Sequence, residues 1–175
     1  KEQNSFLELS EICNANIEAL KSKNTFSVTT GHQLCLFTGP LYFIYKIAST
    51  INLVNRLKNN YPKYNFVPVF WLASEDHDFE EINSINLFNK PVKWDSSQNG
   101  AVGRMKLDGI SLTIAEIQKI LGSSNNAKKL IDIFQKSYNE DNNLSQATRT
   151  LINELFGKYG LLIIDGDDEI GRAHV

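Results

Sequence analysis

Phe66-Val67-Pro68-Val69-Phe70-Trp71-Leu72-Ala73 is a nearly unbroken apolar run, and Ser74-Glu75-Asp76-His77-Asp78 follows it at once. A strand buried on both faces of a parallel sheet needs such a run, because helices cover it on either side. The sudden change to four ionisable residues marks where that strand leaves the core. Upstream, Thr25 to Thr30 is short and β-rich, and Gly31 reads as the turn that ends it. Pro40 suits the first turn of a helix, and Leu41, Ile44, Tyr45, Ala48, Ile51, Val54 and Leu57 then mark one helical face. Tyr61-Pro62 closes that helix.

Farther out the signals continue in the same alternation. A helical rhythm runs through Phe6, Leu9, Ile12, Cys13, Ile17 and Leu20. Downstream, a β-like stretch passes through Ile85, Leu87 and Val92 to Trp94, and helix-like segments follow near 111–121, 125–138 and 143–157. Leu161-Leu162-Ile163-Ile164 is a second short buried strand, leading into Asp165-Gly166-Asp167-Asp168. Strand, helix, strand, helices, strand is the order of a parallel α/β sheet flanked by helices. The expected organisation is an N-terminal helical segment over 1–24 and an incomplete α/β core over 25–169. The last six residues, Ile170 to Val175, resemble the translation of a sequencing adapter and are expected to be foreign, so His174 carries no functional weight.

With 175 residues, 42% hydrophobic and 22% charged, the chain has the composition of an ordinary globular domain. A net charge of -2 argues against nucleic acid or an anionic membrane surface as partner, because both want a positive field. No apolar run approaches the roughly 20 residues that span a bilayer, and no export signal is seen. A cytoplasmic location with Cys13 and Cys35 as reduced, core-type thiols is the consequence.

Ligands of open α/β sheets bind beyond the carboxyl ends of the strands. Three polar places qualify: Gly31-His32-Gln33, Ser74 to Asp78, and Asp165 to Asp168. In the first, glycines at 31 and 39 allow close approach of a ligand, and His32 could act as acid, base or donor near neutral pH; a capping histidine between turn glycines is the plain alternative. In the second, Glu75, Asp76, His77 and Asp78 collect charge as active sites do, against the alternative of a solvated acidic turn. Asp76, His77 and Asp78 make a divalent metal conceivable, but neighbours along a strand point to opposite sides, so a tight site would need a loop there, and no metal is expected. Lys46 lies within two turns of the Gly-rich start of the long helix, and Arg104 follows Gly100-Ala101-Val102-Gly103. Neither a Walker loop nor a dinucleotide fingerprint is present.

Two longer segments are more specific. Thr29-Thr30-Gly31-His32-Gln33, with Leu36-Phe37-Thr38-Gly39-Pro40-Leu41-Tyr42 and Tyr45-Lys46, resembles the first signature of the bacillithiol-biosynthesis cysteine-adding enzymes. Pro68 to Glu81 is similar to their second signature, and Gly100 to Arg104 and Asp165 to Asp168 also match. The resemblance covers most of the chain from Phe26 to Asp168, well under half of the family's usual length.

That resemblance implies a ligase attaching L-cysteine to glucosaminyl-malate in the last step of bacillithiol biosynthesis. It implies a Rossmann-like parallel sheet flanked by helices, here truncated, and a C-terminal coiled coil, absent here, through which family members form homodimers. His32 and His77 are the expected catalytic residues, with Asp76 or Asp78 orienting His77. Gly31, Gln33, Thr38, Gly39, Lys46, Ser74, Glu75, Arg104 and Asp165 are expected to bind substrate or nucleotide. The condensation is uphill, so ATP is the natural source of activation. Nucleotidylyltransferases and class I aminoacyl-tRNA synthetases share this core but place a His-x-Gly-His turn where this chain has Gly31-His32. A nucleotidylyltransferase-like enzyme acting on another small acid is therefore the competing enzyme reading. A non-catalytic ligand-binding relative is the third.

Overall fold

The computed structural model describes residues 2–168; the hexapeptide 170–175 lies outside the described residues. In chain order the elements are α1 (Glu11–Ala19), β1 (Thr25–Gln33), α2 (Leu41–Asn60), β2 (Asn65–Ala73), α3 (Phe79–Ile82), β3 (Ser84–Leu87), β4 (Lys90–Lys93), α4 (Ile110–Leu121), α5 (Asn125–Ser137), α6 (Leu144–Phe156) and β5 (Leu162–Asp165). They fall into two compact units. One gathers the chain up to His32, Leu41–Ala73 and the residues from Ile152, and the other Gln33–Pro40 and Ser74–Leu151.

The first unit is built on a three-stranded sheet of order β1-β2-β5, with β2 and β5 parallel in the register Val69↔Leu162 to Leu72↔Asp165. The five consecutive residues Phe66 to Phe70 are buried, as a strand covered on both faces requires. Pro68 lacks an N–H, yet it precedes the stretch of β2 that pairs with β5, so that ladder is complete. Trp71 departs from the core reading of the sequence, being 40% exposed. Helix α2 buries Phe43, Ile47, Thr50, Ile51 and Val54, and the Phe43 ring meets Phe70 of β2 at 5.1 Å. Helix α1 starts later than the apolar rhythm suggests, because Ser10 caps it by accepting from the Cys13 N–H and donating to Gly157 O.

β1 also departs from expectation. It runs on through Gly31 to Gln33 instead of turning at Gly31. The reason is a close approach between strands: a Cβ on Gly31 would stand 3.1 Å from the Trp71 carbonyl oxygen. The glycine is there to let β1 lie against β2, not to make a turn.

The outer edge of β5 is covered by the N-terminal 3-10 turn Glu2–Asn4. Asn4 Nδ2 donates to Ile163 O at 3.1 Å, and the Asp165 N–H donates to Gln3 Oε1 at 3.0 Å. Gln3 Nε2 in turn reaches Asp165 O at 3.5 Å.

The second unit holds the antiparallel hairpin β3–β4, with Ser84↔Lys93 and Leu87↔Lys90 as its outer pairs. Phe88 and Asn89 between them both have positive φ, the backbone of the two-residue turn whose twist matches the strands. Helices α4 and α5 and the start of α6 supply the helical part, close to the spans read from the sequence. Asn143 and Gln146 cap α6 reciprocally, each side-chain oxygen accepting the other's backbone N–H at 2.8 and 3.0 Å. Leu34, Leu36, Trp94, Leu107, Ile110, Ile117, Tyr138 and Leu144 are among the large fully buried side chains of this unit.

Candidate functional site

The predicted site residues divide between the units. Gly31, His32, Lys46 and Asp165 belong to the first, while Gln33, Thr38, Gly39, Ser74, Glu75, Asp76, His77, Asp78 and Arg104 belong to the second.

In the first unit, β1 delivers Gly31 and His32 at its carboxyl end, beside the start of α2. Lys46, one turn beyond Tyr42 on that helix, donates to the Gly31 carbonyl, and its Nζ lies 5.3 Å from the centre of the Tyr42 ring. The His32 ring sits 6.2 Å from Tyr42 and 5.4 Å from Phe43. Thr29, Thr30, Tyr45, Lys46, Ser49 and Leu53 line a groove of about 340 Å³ between this strand and helix. Asp165 is buried at the end of β5, where its Oδ1 accepts the Asp167 N–H at 3.1 Å.

The second unit is organised around Asp76. Gln33 donates its side-chain N–H to Asp76 Oδ2, while Oδ1 accepts the backbone N–H groups of His77 at 2.6 Å and Asp78 at 3.2 Å. The Gln33 amide first, and then these N–H groups and the nearby His77, hold the Asp76 carboxyl below the ordinary range, against the opposing effect of burial. Asp76 thus orders the main chain of the turn; its contact with His77 is to the backbone, not to the ring.

The Gly100–Arg104 segment clamps the same turn. Val102 N–H donates to Asp76 O at 2.7 Å and Gly103 N–H to Ser74 O at 3.0 Å. A Cβ on Gly103 would stand 2.6 Å from Ser74 Cβ, so only glycine admits this approach. Ser74 is buried in that contact, whereas Glu75, His77, Asp78 and Arg104 are exposed. His77, Asp78, Glu80, Ser96 and Gln98 line a polar groove of about 310 Å³.

The Leu36–Gly39 loop is held by a residue the sequence reading missed. Tyr138, at the end of α5, accepts the Phe37 N–H on its hydroxyl at 3.1 Å. The two residues are 101 positions apart, and nothing local to Tyr138 signals the contact. Cys13 and Cys35 are both buried and outside any disulfide, and burial pushes the Cys35 thiol up to about 11. Among the described residues no cluster of three or more His, Cys, Asp or Glu is arranged to hold a metal, and no helix is long and apolar enough to cross a membrane.

The chain as a whole matches a known family. The profile for "Bacillithiol biosynthesis BshC, N-terminal Rossmann-like domain" matches residues 1–174. A Flavobacterium psychrophilum protein named "Putative cysteine ligase BshC" is 53% identical over 167 residues, covering 95% of this chain and 32% of that protein. Proteins of the same name from Flavobacterium johnsoniae and Chlorobaculum tepidum are 51% and 33% identical, over 100% and 95% of this chain and 33% and 31% of their own lengths. The chain spans about one third of the length of the curated relatives it matches. With a parallel sheet flanked by helices and a match along almost its whole length, the chain belongs to the bacillithiol biosynthesis BshC family, within that family's N-terminal Rossmann-like domain.

Proposed function

We propose that this chain is part of a ligase that joins the carboxyl group of L-cysteine to the amine of glucosaminyl-malate, completing bacillithiol. The observation that carries the reading is the turn Ser74–Asp78, fixed by Gln33 and by the Gly103 segment, which holds His77 exposed at a polar groove. An exposed imidazole on an ordered backbone suits a group that must reach a substrate and exchange a proton with it.

In the reaction a C–N bond forms as the amine attacks the activated cysteine carbonyl. The activating group leaves with the carboxyl oxygen, and the amine gives up a proton. His77 takes that proton. Asp76 keeps the turn in shape, and Asp78 lines the same groove. A nucleoside triphosphate supplies the activation, because amide formation from a free carboxylate is uphill in water. In the first unit His32 and Lys46 offer donors for an anionic group. The full-length protein works in the cytoplasm as a homodimer.

The test is turnover by the full-length protein with L-cysteine and glucosaminyl-malate, with and without ATP, reading bacillithiol by mass. Product that requires ATP supports the reading. ATP–pyrophosphate exchange without any need for cysteine would instead favour a nucleotidylyltransferase acting on another acid. Substrate binding without turnover, from folded protein, would favour a non-catalytic relative.

A further inference from the structure

The loop between β1 and α2 has an unusual backbone. Phe37, Thr38 and Gly39 follow one another with φ of 50°, 86° and 59°. An aromatic and a β-branched residue rarely adopt this region, so the surroundings must impose the conformation. The Gly39 N–H to Leu36 O bond, 2.9 Å, closes the turn but does not explain why it forms.

The imposing contacts come from α5. Phe37 is buried with its ring centre 4.6 Å from those of both Phe134 and Tyr138, and its N–H is held by the Tyr138 hydroxyl. Behind the turn the chain doubles back so tightly that a Cβ on Gly39 would stand 2.5 Å from Cys35 Cβ. Thr38 is the exception in this packed loop. It is half-buried, and its hydroxyl makes no hydrogen bond among the described residues. A strained residue with an unused donor, held by a buried anchor on another element, is arranged as a binding group is.

We infer that Tyr138 is a positioning residue: its ring and hydroxyl lock Phe37-Thr38-Gly39 in the left-handed conformation that presents the Thr38 hydroxyl to a carboxylate or phosphate oxygen of the substrates. The assignment rests on the ligase reading for the identity of those substrates. Tyr138 itself transfers no proton, since it is sealed from solvent and burial pushes its hydroxyl up to about 12.

A double-mutant cycle on the full-length protein tests this, with Tyr138→Phe, Thr38→Ala and the pair, assayed with L-cysteine, glucosaminyl-malate and ATP well below the unfolding midpoints. Each single variant is expected to raise KM for one substrate about tenfold, and the pair to be no worse than either alone, because both remove one interaction. Thr38→Ser, which keeps the hydroxyl, should recover most of the loss. Additive losses, or wild-type kinetics in Tyr138→Phe, would overturn the inference. If Tyr138→Phe does not fold, Gly39→Ala takes its place in the cycle, since it breaks the same turn from the Cys35 side. Amide exchange at Phe37 is read alongside: it should quicken at least tenfold in Tyr138→Phe while α4 stays protected, and an unchanged rate would overturn the clamp. That readout needs no turnover, so a full-length protein that makes no product sinks the ligase reading while the clamp is still judged.

Discussion

Gln33 and Asp76 stand 43 positions apart in sequence and are joined side chain to side chain, the glutamine amide donating to the carboxylate. The carboxylate's other oxygen gathers the N–H groups of the two residues that follow it. One ionised group therefore sets the path of the turn that carries His77.

The pH behaviour of Asp76 follows from that arrangement. Folding lowers its pKa below the ordinary 3.8, so what it contributes to stability is fully present above 3.8 and is lost as the pH falls through the folded value. In Gln33→Leu the largest cause of the lowering is gone, and an NMR titration of the Asp76 carboxyl should move toward 3.8. An unmoved titration would mean that the glutamine contact is not made in solution.

Gly103→Ala should destabilise the protein by roughly 1–3 kcal/mol, because the new methyl group meets Ser74 Cβ and carbonyl oxygen at 2.6 and 2.7 Å. The displaced backbone belongs to the turn itself, so turnover should fall with stability. Denaturant unfolding beside a turnover assay checks both. A variant of native stability and activity would show that the two segments need not meet so closely.

His77 is exposed and its side chain makes no hydrogen bond among the described residues, so His77→Ala should change stability by no more than about 0.5 kcal/mol. Turnover by the full-length protein should fall by about 10²–10⁴, the usual worth of a general acid or base. Native turnover in this variant would remove His77 from the chemistry.

Cys35 should be inert. Its thiolate is disfavoured by burial, with the thiol pushed up to about 11, and the side chain packs under Gly39. Iodoacetamide labelling followed by mass spectrometry should modify Cys35 slowly in the native protein and quickly once it is unfolded. Rapid native labelling would show that the loop opens readily.

Much of the fold is legible in the sequence because it rests on periodicity. The apolar spacing of α2, α4, α5 and α6 and the run in β2 are local patterns with one reading each. β1 is harder, since an isolated glycine can end a strand or let two strands close up, and only the neighbouring Trp71 decides. The start of α1 is displaced because Phe6 and Leu9 continue its rhythm before the Ser10 cap. At the candidate site, the residue types of Ser74–Asp78 announce themselves by charge. What ties them together does not: Gln33 reaches Asp76, and Tyr138 reaches Phe37, across separations that only tertiary folding closes. The left-handed Phe37 and Thr38 are illegible for a related reason, since neither residue type favours that backbone.

The Gln3 and Asn4 side chains give the sheet a polarity of growth. Ile163 and Asp165 turn their peptide groups away from β2, and these are the groups that Asn4 and Gln3 occupy. An incoming strand at β5 would have to displace both side chains before it could pair. β1 has a strand neighbour on one side only. Among the described residues the sheet is thus capped at one margin and open at the other. Two side chains at the front of the chain decide that no further strand, from the same polypeptide or from another molecule, adds beside β5 while they stay in place.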